Sequence, residues 1–318
     1  MSVAAAEAPR LQLEPTACPI CGHDEGEPVA VGTDFAHATS AESFLALRCN
    51  ACALVYLNPV PAPSSRRSIY PSPYFHAEAG RDDHRRAARA AARRVLACAG
   101  SLPPTARLLE LGYGARLHLE ELRRLGPARW TVEAVTPHAP LLQAGQDGSL
   151  VVHRGTAAGL ASQGGVYDVI LALHALEHAE APLDELRSLR PLLRPGGRVL
   201  VVCQNAESAV GRRFQGRHWA GYDFPRHRVL FGPRALRALA ERAGFAVERL
   251  AGVPYARVWS RSAANLLRDW SAPRWLSSEA DRGGLLAGPL AAVAEATAGR
   301  GAQAAWIEAV LVPAEAPR

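Results

Sequence analysis

An α/β fold is predicted, with a doubly wound, mostly parallel sheet and a small N-terminal cysteine module. Three observations lead to it. Short apolar runs alternate with amphipathic segments from Thr105 onwards, the run Arg107–Leu111 ends in a glycine turn that opens a helix, and four of the six cysteines form two C-x-x-C pairs. Apolar strands alternating with helices imply a parallel sheet covered on both faces. A chain of 318 residues is long enough for one domain of about 150–200 residues with smaller appendages.

In chain order, residues 1–17 read as a flexible tail, without the basic start and apolar core of a signal peptide. Residues 18–60 form the cysteine module, which closes in the proline-rich stretch NPVPAPSS. Residues 61–104 supply a linker and a lead-in helix at 84–99, whose Arg85, Arg89 and Arg93 fall on one face that reads as solvated. Residues 105–250 make the main domain. Its strands are expected at Arg107–Leu111, Trp130–Val135, Leu150–His153, Val166–Leu173 and Arg198–Cys203. Its helices are expected at Leu117–Leu125, Pro182–Leu193 and Gly232–Ala243, the last capped by Gly244. Residues 251–318 form an alanine-rich C-terminal extension completing or capping the sheet, with AAWIEAVLVP as an edge strand. There are no internal repeats.

The composition narrows the partners. The net charge of +6 comes with 36 basic residues, all arginine, spread along the chain. With so much alanine, glycine and proline, that is coding bias rather than a nucleic-acid footprint, which would need a patch or a motif. The longest late apolar stretch, Leu285 to Ala294, is broken by Gly288 and Pro289 and is too short to span a bilayer. The expected partner is a small-molecule substrate, with neither nucleic acid nor membrane; oligomeric state is left open. Paired C-x-x-C turns suit a reducing compartment, so the location is expected to be cytoplasmic.

Cys18, Cys21, Cys49 and Cys52 lie in two C-x-x-C turns separated by 27 residues. Two such turns supply four thiolates to one tetrahedral zinc, a closed structural site whose binding energy folds a module too small to fold alone. A redox dithiol would need only one pair. Cys98 and Cys203 fall inside a helix and a strand and read as core residues.

Arg107 to Leu122, RLLELGYGARLHLEEL, is a strand, a glycine turn and a helix. That order lets the backbone approach a ligand at a helix N-terminus. Glu110-Leu-Gly112-Tyr-Gly114 resembles the first motif of class I S-adenosylmethionine-dependent methyltransferases, and four further segments follow in that family's order. They are Val166-Tyr-Asp168-Val-Ile, His174-Ala-Leu-Glu177-His178, Leu193-Arg-Pro195-Gly196-Gly197-Arg-Val-Leu and Trp219 to His227. A Rossmann-like sheet preceded by a zinc ribbon-like module is also a recurring arrangement in that family, and the resemblance covers about residues 18–250.

The resemblance implies S-adenosyl-L-methionine as cofactor alongside a structural zinc ion. The Gly112–Gly114 backbone would lie against the methionine part of the cofactor, with Glu110 ordering the turn. Thr136 would meet the ribose, Thr156 and Ala157 would border the adenine, and Leu173 and His174 would sit beside the sulfonium. His178, then His227, are the candidate bases, for an acceptor such as a sugar, a polyketide or another secondary metabolite. Glu177 and the neighbouring histidines also have the residue types of a metal site. Arg226 either holds an anionic substrate group or pairs with Asp223 three positions earlier.

The chain departs from the family twice. Arg116 stands where a third glycine is usual. Thr136 stands where an acidic residue would bind both ribose hydroxyls, a loss of about 1–3 kcal/mol. Glu133 is three residues too early in the strand to replace that acid. These departures make a catalytically inactive relative, serving as a binding or scaffolding subunit, the alternative reading. A nicotinamide site is disfavoured because G-x-G-x-x-G would require a glycine at Leu117.

Overall fold

The computed structural model describes residues 10–70, 82–98, 102–112, 116–137 and 151–315. The chain divides into two compact units, each assembled from separate stretches. One comprises residues 72–203, 236–251 and 308–318; the other comprises 1–71, 204–235 and 252–307.

The first unit is built on a seven-stranded sheet. Its strands in chain order are β1 (Arg107–Leu111), β2 (Thr131–Thr136), β3 (Val151–Arg154), β4 (Tyr167–Leu173), β5 (Leu193–Gln204), β6 (Phe245–Val253) and β7 (Trp306–Pro313). The order across the sheet is β6-β7-β5-β4-β1-β2-β3. The β5–β4, β4–β1, β1–β2 and β2–β3 pairs are all parallel. The strand order reverses between β1 and β4, and in doubly wound sheets the crevice outside the carboxyl ends at such a point takes the ligand.

Leu108, Leu109, Leu111, Val169, Ile170 and Leu171 are buried, as expected of strands covered on both faces. The helices among them are α1 (Asp82–Cys98), α2 (Arg116–Leu125), α3 (Ala157–Ala161), α4 (Pro182–Leu189) and α5 (Pro233–Arg242). Arg89 and Arg93 on α1 are exposed, as their shared face predicts, whereas the Arg85 side chain lies outside the described residues. Cys203 is buried in β5; the Cys98 side chain is also outside the described residues.

Three expectations need correction. β5 begins at Leu193, ahead of the expected Arg198, with its register to β4 shifting between those two residues. The helix from Pro182 ends at Leu189 and tightens into a 3-10 turn at Arg190–Leu192, because Pro191 brings no N–H to the helical ladder. AAWIEAVLVP does form a strand, β7, but it lies between β6 and β5 rather than at the edge. The edge on that side is β6, a strand the sequence hid by placing Glu248 and Arg249 in its middle. Charged side chains are a usual protection for an exposed edge.

The second unit holds a four-stranded sheet ordered Val229–Leu230, Val55–Leu57, Phe44–Cys49 and Gly26–Gly32, all paired antiparallel. Its core gathers Phe44, Leu57, Trp219, Tyr222 and Phe224, with the Tyr222 and Phe224 rings stacked at 5.0 Å. The alanine-rich C-terminal extension forms three helices here, Arg257–Asp269, Arg274–Arg282 and Ala287–Ala298. Among the described residues, no helix is long and apolar enough to cross a membrane.

Candidate functional site

The carboxyl ends of β1 to β4 bring six of the nominated cofactor residues together. Leu111 is level with Val135, and the Gly112 N–H donates to the Val135 carbonyl at 2.8 Å, which sets Gly112 beside Thr136. The Gly155 N–H donates to the Thr136 carbonyl at 2.9 Å, bringing Thr156 and Ala157 to the same end. Thr156 caps α3, its hydroxyl accepting from the Gly159 N–H at 3.3 Å. Glu110 is level with Leu171, so Leu173 and His174 close the neighbouring strand at the height of Gly112. The other two nominated residues differ. Glu110 is buried as the penultimate residue of β1, and Gly114 lies outside the described residues, as does the Arg116 side chain.

Glu110 is the polar feature of this end. One carboxylate oxygen lies 3.3 Å from His118 Nδ1, and the other is buried with no hydrogen-bond partner among the described residues. A buried carboxylate oxygen without a donor is costly, which marks a position suited to a ligand's N–H or ammonium group. His118, on α2, was not singled out from the sequence. Only its place in the first turn of α2, four residues beyond Gly114, could have drawn attention to it.

His174 follows β4 with φ at +52°, in the left-handed region, and its N–H is fixed by the Val202 carbonyl at 2.8 Å. A non-glycine residue there carries about 1 kcal/mol or more of strain. Its Nδ1 lies 3.3 Å from a carboxylate oxygen of Glu177, which sits in the 3-10 turn Leu176–His178. His178 is buried in the same turn. Burial pushes the Cys203 thiol well up, and the Glu177 charge adds to it.

Glu133 is committed elsewhere, as its early position in β2 suggests. It accepts from Arg107 at 2.7 Å and Tyr167 at 3.0 Å, and lies 2.6 Å from His153 Nε2. Burial opposes its charge, but these partners hold the carboxyl below the usual range.

In the other unit the cysteine pairs form two matching turns. Gly22 N–H donates to Cys18 O at 2.8 Å and Cys18 N–H to His23 O at 3.0 Å; Ala53 N–H donates to Cys49 O at 2.9 Å and Cys49 N–H to Leu54 O at 2.8 Å. Gly22 and Ala53 take the same positive φ, +72° and +63°. The four Sγ atoms lie within 4.8 Å of one another, with Cys18–Cys52 at 3.5 Å and Cys21–Cys49 at 3.4 Å. Tetrahedral zinc with bonds of about 2.3 Å needs sulfurs about 3.8 Å apart, so the four thiols fit that ion.

His227 and Arg226 also belong to this unit. His227 Nδ1 lies 2.7 Å from the Gly221 carbonyl. Arg226 is 0% exposed and its fork is filled: Asp34 accepts from it at 2.7 and 2.9 Å, Asp223 at 2.9 and 3.1 Å, and the Ile69 and Phe224 carbonyls accept as well. Of its two readings the structure supports the pairing with Asp223 and adds Asp34, which no local spacing in the sequence could reveal.

Residues 83–250 match a family model described as a methyltransferase domain. The chain belongs to that family, the class I S-adenosylmethionine-dependent methyltransferases. Among similar curated proteins is the ubiquinone biosynthesis O-methyltransferase of Roseobacter denitrificans, 37% identical over 100 residues, covering 30% of this chain and 40% of that protein. The protein of the same name from Dinoroseobacter shibae is 29% identical over 172 residues, covering 50% of this chain and 69% of that protein. The chain thus spans about two fifths of the length of the first of these relatives. Similar solved structures include a SAM-dependent methyltransferase from Archaeoglobus fulgidus, 14% identical over 71% of this chain and 93% of that one, with a TM-score of 0.45. Another is a methyltransferase from Streptomyces caelestis, 19% identical over 72% and 90%, also with a TM-score of 0.45.

For a methyltransferase domain, the described residues fit the cofactor at two points. A Cβ added to Gly112 would lie 3.3 Å from Thr136 Cβ, so the glycine keeps a narrow space clear. The unpartnered Glu110 oxygen offers an acceptor below it. The second strand meanwhile ends in a neutral, buried Thr136.

Proposed function

We propose that this methyltransferase domain transfers a methyl group from S-adenosyl-L-methionine to a hydroxyl of a small molecule. The observation that carries the reading is the row of Gly112, Thr136, Leu173 and His174 across the carboxyl ends of adjacent parallel strands, with the buried Glu110 carboxylate beneath it. The hydroxyl acceptor is supported by relatives named O-methyltransferases; a sugar, a polyketide or another secondary metabolite is the class proposed.

The cofactor supplies an electrophilic methyl on a sulfonium, so the protein's work is to position the reactants and accept a proton. Gly112, with Gly114, gives the backbone surface for the methionine part, and Glu110 accepts from it. Thr136 offers the ribose one neutral hydrogen bond. Thr156 and Ala157 border the adenine, and Leu173 and His174 flank the sulfonium. His178 and His227 are the bases nominated by the sequence. Cys18, Cys21, Cys49 and Cys52 hold a structural zinc ion, and the protein works in the cytoplasm.

Titration calorimetry with S-adenosyl-L-methionine tests the reading, together with transfer of its labelled methyl to a panel of hydroxyl acceptors. Saturable binding with label in the acceptor is the expected result; no heat at millimolar ligand would sink it. Thr136 favours one second reading, a subunit that keeps the fold without turnover. It requires the absence of label transfer to every acceptor, and methyl transfer by the unaltered chain to any acceptor would rule it out.

A further inference from the structure

Three histidines stand in or near the motifs of the proposed reaction, and their surroundings differ. His178 is 6% exposed and His227 is 8% exposed, with the latter's Nδ1 at the Gly221 carbonyl. The His174 side chain is 27% exposed, and Glu177 beside it is 0% exposed. His174 also stands at the carboxyl end of β4, in a left-handed backbone conformation fixed by the Val202 carbonyl. An imidazole at the mouth of a ligand crevice, backed by a fully buried carboxylate, is the arrangement that orients a general base.

We infer that His174 is the proton acceptor of the reaction and that Glu177 is its positioning residue. The inference rests on the methyl-transfer reading and deepens it, because a hydroxyl acceptor is the chemistry that needs such a base. The Glu177 carboxylate accepts from Nδ1–H, which leaves the lone pair on Nε2. The acceptor's O–H bond breaks as its proton moves to Nε2. Its oxygen bonds to the methyl carbon while the carbon–sulfur bond of S-adenosyl-L-methionine breaks, leaving the electron pair on sulfur. Water then takes the proton from the imidazole.

The test uses the full chain, with His174→Asn, Glu177→Gln, His178→Gln and His227→Gln. The first readout needs no turnover: nitrogen NMR of labelled histidine, with the His174 signals assigned by their loss in His174→Asn. The wild type is expected to show the Nδ1–H tautomer at pH 8, and Glu177→Gln to lose that preference. Circular dichroism and a urea midpoint matching those of the wild type show that His174→Asn is folded, and its affinity for S-adenosylhomocysteine is measured by calorimetry. Turnover is followed with 3,4-dihydroxybenzoate as the probe acceptor. His174→Asn is expected to lose at least a hundredfold in kcat and Glu177→Gln about tenfold, with the other two variants losing less.

A wild-type Nε2–H tautomer unaffected by Glu177→Gln would overturn the pairing. A greater loss in His178→Gln or His227→Gln than in His174→Asn would overturn the assignment of the base. A tenfold loss of S-adenosylhomocysteine affinity in His174→Asn with kcat unchanged would return His174 to cofactor binding alone. Failure of the wild type to transfer label to any hydroxyl acceptor would sink the methyl-transfer reading instead, while the tautomer result would still decide the dyad.

Discussion

Gly112 and Thr136 face each other at the ends of β1 and β2, so closely that a Cβ on the glycine would come within 3.3 Å of the threonine Cβ. The contact is tight but not prohibitive, and the Gly112 backbone shows no positive φ that would bar alanine. Gly112→Ala is therefore expected to cost only about 1 kcal/mol of stability. Its effect should fall on the ligand, whose approach the methyl would obstruct. Affinity for S-adenosyl-L-methionine should drop at least tenfold by calorimetry, with the urea midpoint little changed.

Thr136→Asp is expected to do the opposite. A carboxylate there could accept from both ribose hydroxyls, worth about 1–3 kcal/mol over the single neutral bond. Affinity should rise about tenfold or more. Thr136 is buried, so the free variant should lose several kcal/mol from desolvating the new charge. The thermal shift on adding cofactor should consequently exceed that of the wild type. An unchanged or weaker affinity would show that residue 136 does not meet the ribose.

Burial on both faces leaves near-continuous apolar runs, which made β1, β2 and β4 legible, β1 to the residue and β2 and β4 to within one residue at each end; β3, an edge strand, was read as closely. The sequence concealed β6, where Glu248 and Arg249 interrupt the run, and misplaced β7, whose position between β6 and β5 depends on long-range pairing. The strand ends that gather Gly112, Thr136, Leu173 and His174 could be placed from the glycine turn and the apolar runs. His118 and the Asp34–Arg226 pair could not, since each depends on a contact between elements that carry no local mark of it.

The cysteine cluster gives a third prediction. Two hydrogen-bonded turns converge four thiols from separate stretches of chain. Bound zinc would then contribute folding energy directly. Purified wild type should contain one zinc per chain by elemental analysis, and Cys18→Ser with Cys49→Ser should contain none. Chelation should lower the wild-type Tm and leave that of the double variant unchanged. Equal metal content in the two proteins would refute the site.

Arg226 and Asp34 bear on pH. Burial opposes the charge of both Asp34 and Asp223, but Arg226 outweighs it and holds both carboxyls below their usual range. Groups depressed in this way add stability that is complete above the ordinary carboxylate pKa of about 3.9. That contribution is lost as pH falls from there through the folded values. Wild-type stability should accordingly decline below about pH 4, and Asp34→Asn should decline less steeply because one of the depressed groups is gone. At pH 7 the same substitution weakens a buried ion pair and should cost about 3 kcal/mol. Urea unfolding of both proteins between pH 7 and pH 2 would check this, and parallel acid limbs would show that Asp34 is not held charged by Arg226.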